Sequence, residues 1–279
     1  GLDLVEWQLR VAAGEPLPLT QEEIRLEGHA IEVRLYAEDP AKNFMPQSGR
    51  IDVWAPASGK GVRMDHGIRS GQEISPFYDP MIAKAIAYGR TRDEARRRLM
   101  RALSETTLFG PPNNKNFLIA MLGHPVFAAG EATTGFIGAH FAAGSETMAE
   151  KQPSARLLAL AATLLYERSA SQLGALMASW DSTGVFAKPL KLAVGEKETG
   201  VVLTARGGGA FAVVVGDETV EIALTERTPD TARYRVGGVD AKARLAFDGA
   251  VLHLEAGGET LTTRETSHEI KSGAEREGG

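Results

Sequence analysis

The feature that most constrains this chain is a series of short apolar runs in its second half, each stopped by glycine. Residues 201–203, 210–215, 219–224, 234–236, 241–247 and 251–254 are separated by Gly207-Gly208-Gly209, Gly216-Asp217, Gly237-Gly238, Asp248-Gly249 and Gly257-Gly258. Such residues supply the positive φ angles that tight hairpins need, so the runs read as neighbouring antiparallel strands. A meander of this length has an apolar face to hide, and closing into a barrel hides it. Just ahead of it, residues 154–168 predict a helix with Leu157, Leu158, Leu160, Ala161, Leu164 and Leu165 nearly encircling it. A helix apolar on almost every side has to be surrounded by protein, and the expectation is a sheet wrapped around it.

The first half mixes both periods. Residues 3–13 predict a helix with Leu4, Trp7 and Val11 on one face, stopped by Gly14 and Pro16. From residue 29 to 38, Ile31, Val33, Leu35 and Ala37 alternate with Glu32, Arg34, Tyr36 and Glu38, which predicts a strand with one buried face. Residues 51–54 and 62–64 read as two further strands. Asp79-Pro80 has the form of a helix start, with Gly89 placed as its stop. Thr91-Arg92-Asp93-Glu94 has the capping-box pattern and opens a helix reaching about Thr106. Its Arg96, Arg97, Arg98 and Arg101 read as a solvated face paired with Asp93, Glu94 and Glu105, or alternatively as a subunit interface. A third helix covers residues 113–122. Small and polar residues over 138–153 mark a boundary. The fold class expected is α+β, an antiparallel sheet with helices over residues 1–142, then an antiparallel β-barrel around a central helix over 143–264. Residues 265–279 are polar and read as a flexible linker.

Composition excludes several functions. A formal net charge of -5 argues against a nucleic-acid binder. The most apolar stretch, residues 157–165, is too short to cross a membrane. The absence of cysteine removes thiolate metal sites and thiol nucleophiles, and fits a cytoplasmic or mitochondrial-matrix setting. The amphipathic pattern starts at the first residues, so the sequence reads as beginning inside a domain. There is no P-loop, no G-x-G-x-x-G and no G-x-S-x-G. His29, His66, His124, His140, His253 and His268 show no metal-ligand spacing and read as surface or capping residues. Glu38-Asp39 reads either as a metal or acid/base pair or as a turn or cap, and the second is favoured because adjacent strand side chains point to opposite faces. Arg63 is the most suggestive single residue. It alternates with apolar Val62 and Met64, so it either faces a cleft, where it steadies a developing oxyanion, or is an ordinary exposed strand arginine.

The wording of the chain adds a resemblance. Residues 1–10 (GLDLVEWQLR), 28–40 (GHAIEVRLYAEDP), 44–46 (FMP), 61–65 (GVRMD), 77–84 (FYDPMIAK) and 124–127 (HPVF) closely resemble, in the same order, the C-terminal part of biotin carboxylase domains. Within biotin-dependent acyl-CoA carboxylases, Glu6-Trp7-Gln8 and Phe77-Tyr78-Asp79-Pro80 look most like the alpha subunits of the 3-methylcrotonyl-CoA and geranyl-CoA branch. The second region is similar in layout to the docking domain, called BT, that joins such subunits to the carboxyltransferase.

The resemblance implies a whole enzyme, a ligase, that uses ATP, magnesium and bicarbonate to carboxylate biotin on a mobile carrier domain. The carboxyl group then passes to a carboxyltransferase beta subunit. Arg63 matches the family's arginine at the ureido oxygen of biotin, and Arg92 matches a position at the carboxylase dimer interface. For the barrel, strand edges and residues 180–189 are the expected contacts with the beta subunit, with Trp180 and Phe186 as anchors; the other reading is that these two close the barrel end. The family's metal-binding carboxylates, glycine loop and Ala-Met-Lys-Met biotinylation motif have no match here. The chain alone is therefore expected neither to hydrolyse ATP productively nor to carry biotin. The alternative is a non-catalytic binding or assembly protein that works through its barrel.

Overall fold

The computed structural model describes residues 2–142, 152–172, 187–195 and 197–267. Helix α1 (Leu4–Ala12) opens the chain, capped by Asp3, whose carboxylate accepts from the amides of Val5 and Glu6. None of its residues is buried. The strands of the first region follow as β1 (His29–Tyr36), β2 (Glu38–Asp39), β3 (Met45–Pro46), β4 (Gly49–Arg50), β5 (Val53–Ala55), β6 (Val62–His66), β7 (Glu73–Ile74), β8 (Met81–Gly89) and β9 (Thr107–Phe109). Its helices after α1 are α2 (Arg92–Glu105), α3 (Lys115–Gly123), α4 (Pro125–Ala129) and α5 (Phe136–His140).

The principal sheet is antiparallel, in the order β1-β8-β6. One face is dry: Ile31, Val33 and Leu35 of β1 and Ala83, Ala85 and Ala87 of β8 pack against Ala95, Leu99 and Leu103 of α2. Here the expected helix from Asp79 is corrected, because residues 81–89 form the central strand. Asp79 does cap, but it accepts from the amide of Met81 at 2.9 Å and turns the chain into β8. Alanine favours helices intrinsically, yet pairing on both edges overrides that preference. The small side chains have a packing reason, since they let α2 lie close on the sheet.

Glu38-Asp39 follows the capping reading in part, with Asp39 accepting from the amide of Ala41 at 3.0 Å. The expected pairs form within α2, Arg96 and Arg97 with Asp93, Arg98 with Glu94 and Arg101 with Glu105. Only Arg97 and Arg101 lie on a solvated face, however; Arg96 and Arg98 are largely covered, and Arg98 also donates to the Tyr88 carbonyl. Arg96 also donates to the Leu122 carbonyl at 3.0 Å, which ties α2 to the end of α3.

In the second region α6 (Ala155–Gln172) is ringed by a closed barrel. Its strands are β10 (Ala187–Val194), β11 (Lys197–Gly207), β12 (Ala210–Val215), β13 (Glu218–Arg227), β14 (Thr231–Val236), β15 (Val239–Asp248), β16 (Val251–Ala256) and β17 (Glu259–Glu265). Each pairs antiparallel with the next, and β10 closes on β17 with Ala193 opposite Arg264. Residues 157–162, 164 and 165 are all buried inside, as an all-round apolar helix requires. Glu259 of β17 fixes the helix start by accepting from the amide and hydroxyl of Ser154 at 2.9 and 2.8 Å.

On β16, alternation explains how the two regions meet. Leu252 and Leu254 point into the barrel, yet His253 and Glu255 between them are buried as well. They are covered by the first region. The surface-or-cap reading of His253 is thus corrected: its ring stacks on Phe109 at 5.6 Å, and Nε2 lies 3.4 Å from an Asp52 oxygen. Arg244 adds a hydrogen bond of 2.5 Å to the Ser104 carbonyl.

Candidate functional site

The second face of the β1-β8-β6 sheet is the candidate site, because it carries a charged array on a rigid base. The register sets Glu32, Ile86 and Arg63 side by side across the three strands, and Arg34, Lys84 and Asp65 in the next row. Strand period two puts all six on the face away from α2. Arg63 is 73% exposed. Its Nε donates to Asp65 Oδ1 at 2.7 Å and its Nη2 to Oδ2 at 2.8 Å, a two-point pair. Among the described residues, Nη1 makes no hydrogen bond.

The pair settles the charge of both groups. The hydrogen bond from Arg63 holds the Asp65 carboxyl below its usual range, and the nearby charges of Arg63, Lys84 and His66 act in the same direction. Asp65, and at longer range Asp3 at the start of α1, favour the charged guanidinium. A guanidinium stays protonated and offers donors in a fixed plane, so this face can meet an anionic oxygen through the open edge of Arg63.

A second acidic spot lies at the sheet end. Burial raises the Glu38 carboxyl, and the charge of Asp79 adds to it. Among the described residues, no group of three or more His, Asp or Glu side chains could hold a metal ion.

The other expected residues lie elsewhere. Arg92 opens α2, where its Nη2 donates to the Phe127 carbonyl at 2.9 Å and its guanidinium lies over the Phe127 ring at 5.0 Å. It ties α2 to α4. Trp180 and Phe186 lie outside the described residues. Asp65 and Lys84 were not singled out by the sequence reading. The signal was available for Asp65, since the alternation that isolates Arg63 continues through Met64 to Asp65.

Comparison with known proteins gives this geometry a context. Residues 32–139 match the family model described as "Biotin carboxylase C-terminal domain". The mitochondrial methylcrotonoyl-CoA carboxylase subunit alpha of Mus musculus is 48% identical over 141 residues, covering 50% of this chain and 20% of that protein. The mitochondrial propionyl-CoA carboxylase alpha chain of Caenorhabditis elegans is 32% identical over 280 residues, covering 95% of this chain and 36% of that protein. Among solved structures, the biotin carboxylase domain of Hydrogenobacter thermophilus 2-oxoglutarate carboxylase, in complex with MgADP and bicarbonate, superposes with a TM-score of 0.51 at 36% identity, over 55% of this chain and 33% of that one. The chain thus spans between a fifth and about a third of the length of these proteins. Several carboxylases match, and the 3-methylcrotonyl-CoA branch is not singled out among them. Residues 32–139 thus carry the match to, and the fold of, a biotin carboxylase C-terminal domain, in a chain whose homologues include biotin carboxylases and acyl-CoA carboxylase alpha subunits.

Proposed function

We propose that this chain is part of the alpha subunit of a biotin-dependent acyl-CoA carboxylase and that its open sheet face forms one wall of the site where biotin is carboxylated. The observation that carries this reading is the exposed guanidinium of Arg63, held on one edge by Asp65 and free on the other. Biotin, presented by a carrier domain, supplies the nucleophilic nitrogen. Arg63 holds a fixed positive charge against the ureido oxygen, where negative charge develops. ATP, magnesium and bicarbonate act at residues that the rest of the enzyme supplies, and purified alone the chain is expected to show no bicarbonate-dependent ATP hydrolysis.

The barrel is the docking module for the carboxyltransferase beta subunit. Its order after the carboxylase domain and the similarity of nearly the whole chain to a propionyl-CoA carboxylase alpha chain support that role. Trp180 and Phe186 are its proposed anchors, and Arg92 is proposed to support the carboxylase dimer contact through the α2–α4 junction. Glu6-Trp7-Gln8 and Phe77-Tyr78-Asp79-Pro80 favour the 3-methylcrotonyl-CoA and geranyl-CoA branch of these enzymes.

The test is carboxylation of free biotin by the full-length subunit, with ATP and bicarbonate, before and after Arg63→Gln. Full activity in the variant would discard the reading of Arg63. Co-purification with the beta subunit, repeated with Trp180→Ala and Phe186→Ala, tests the docking role. Retained binding by both variants would discard these anchors.

A further inference from the structure

We infer that Asp65 is a positioning residue for the same reaction: it clamps Nε and one N–H of Nη2 of Arg63, so that the opposite edge, with Nη1 and the second Nη2 N–H, is presented to the ureido oxygen of biotin. This inference rests on the reading of Arg63 given above. Its own support is geometric. The two residues are separated by two positions on β6, so the pleat places their side chains on the same face. Both carboxylate oxygens are engaged, at 2.7 and 2.8 Å, which fixes the plane of the guanidinium as well as its location. An arginine without such a partner samples many rotamers on an open sheet, and ordering it would fall to the moment of reaction. On the neighbouring strand, Lys84 stands directly opposite Asp65 and Ile86 opposite Arg63. The hydrogen bond from Arg63 favours the ionised carboxylate first, and the charge of Lys84 adds in the same direction.

An asparagine at this position keeps the shape but offers only one acceptor, so it cannot complete the two-point pair. The experiment uses the full-length subunit and free biotin, comparing Asp65→Asn, Asp65→Glu, Arg63→Gln and Arg63→Gln/Asp65→Asn. Expected is a loss of about tenfold in kcat for Asp65→Asn, with the KM for ATP unchanged and most of the rate restored by Asp65→Glu. In the Arg63→Gln background, Asp65→Asn should cost nothing further, because there is no guanidinium left to hold. Equal losses in both backgrounds, or no loss from Asp65→Asn while Arg63→Gln is inactive, overturn the positioning role and leave Arg63 in place. A fully active Arg63→Gln overturns the reading of Arg63 and this inference with it. The pair is solvent-exposed, so Asp65→Asn should fold normally; Asp65→Ala provides a second variant for the same comparison.

Discussion

Lys115, the first residue of α3, reaches 140 positions along the chain to Glu255 on β16, with 2.6 Å between Nζ and Oε1. Both side chains are buried, the lysine to 3% exposure. Lys115 also donates to the Thr106 carbonyl at 2.8 Å. Burial pushes the Lys115 amine below its usual range, while Glu255 works against that shift. The pair sits beside the Phe109–His253 stack, so charge and aromatic packing together join the first region to the outer wall of the barrel.

Removing one member of a buried ion pair leaves the other charge without compensation, which typically costs about 3–5 kcal/mol. Lys115→Met should therefore lower stability by about that much in urea denaturation and loosen the barrel from the first region. The double variant Lys115→Met/Glu255→Leu should recover most of the loss, because no stranded charge remains. A single variant within about 0.5 kcal/mol of the parent would show that the contact is not dry in solution.

His253 gives the same junction a pH dependence with a definite sign. Burial lowers its pKa, and the opposing charges of Asp52 and Asp248 do not overcome it. As pH falls below about 6.5, the unfolded chain takes up the proton before the folded one does. The stability linked to this residue is thus present above that pH and lost on descending toward the folded pKa. Glu38, whose folded pKa is raised, has the opposite sign but acts in both proteins compared. Thermal midpoints between about pH 5 and 7.5 should fall less steeply in His253→Gln than in the parent. Parallel curves would remove His253 from the account.

Much of this architecture could be read from the residues, for stated reasons. β1 was legible because only one of its faces is buried, so Ile31, Val33 and Leu35 alternate cleanly with polar neighbours. The barrel core was legible from its hairpin glycines, although β10 and β17, rich in lysine, threonine and glutamate, were not foreseen as strands. β8 was misread because Asp79-Pro80 and three alanines carry local helix signals, while the pairing that decides the matter comes from distant β1 and β6. The burial of His253 had no local signal at all, since its cover is Phe109 and Asp52. The open sheet face was visible only as a lone Arg63, because the cross-strand neighbours that give it a setting are remote in sequence.

Gly89 tests the close packing that made alanines suitable in β8. A Cβ built there would lie 2.4 Å from the Ala95 amide nitrogen and 2.9 Å from the Glu94 carbonyl carbon. Both are backbone atoms in the first turn of α2, so relief requires moving the helix away from the sheet. Gly89→Ala should lower stability by about 1–3 kcal/mol, read as a reduced urea midpoint. Gly138→Ala, with nothing within 4 Å of the new atom, is the control and should change little. Equal behaviour of the two variants would mean that α2 is free to shift.

Arg63→Gln should separate chemistry from stability. The side chain is largely exposed, and its partner Asp65 is left in solvent rather than in a dry interior, so the fold loses little. Glutamine keeps a donor but not the charge that opposes a developing oxyanion, and losing such a group typically costs about 10²–10³ in kcat. The full-length subunit should therefore keep its thermal midpoint and its KM for ATP while losing most biotin carboxylation. Arg63→Lys should recover only part of the rate, because an ammonium supplies the charge without the planar, two-edged geometry that lets Asp65 hold one side while the other remains free. A lysine variant as active as the parent would show that charge alone suffices at this position.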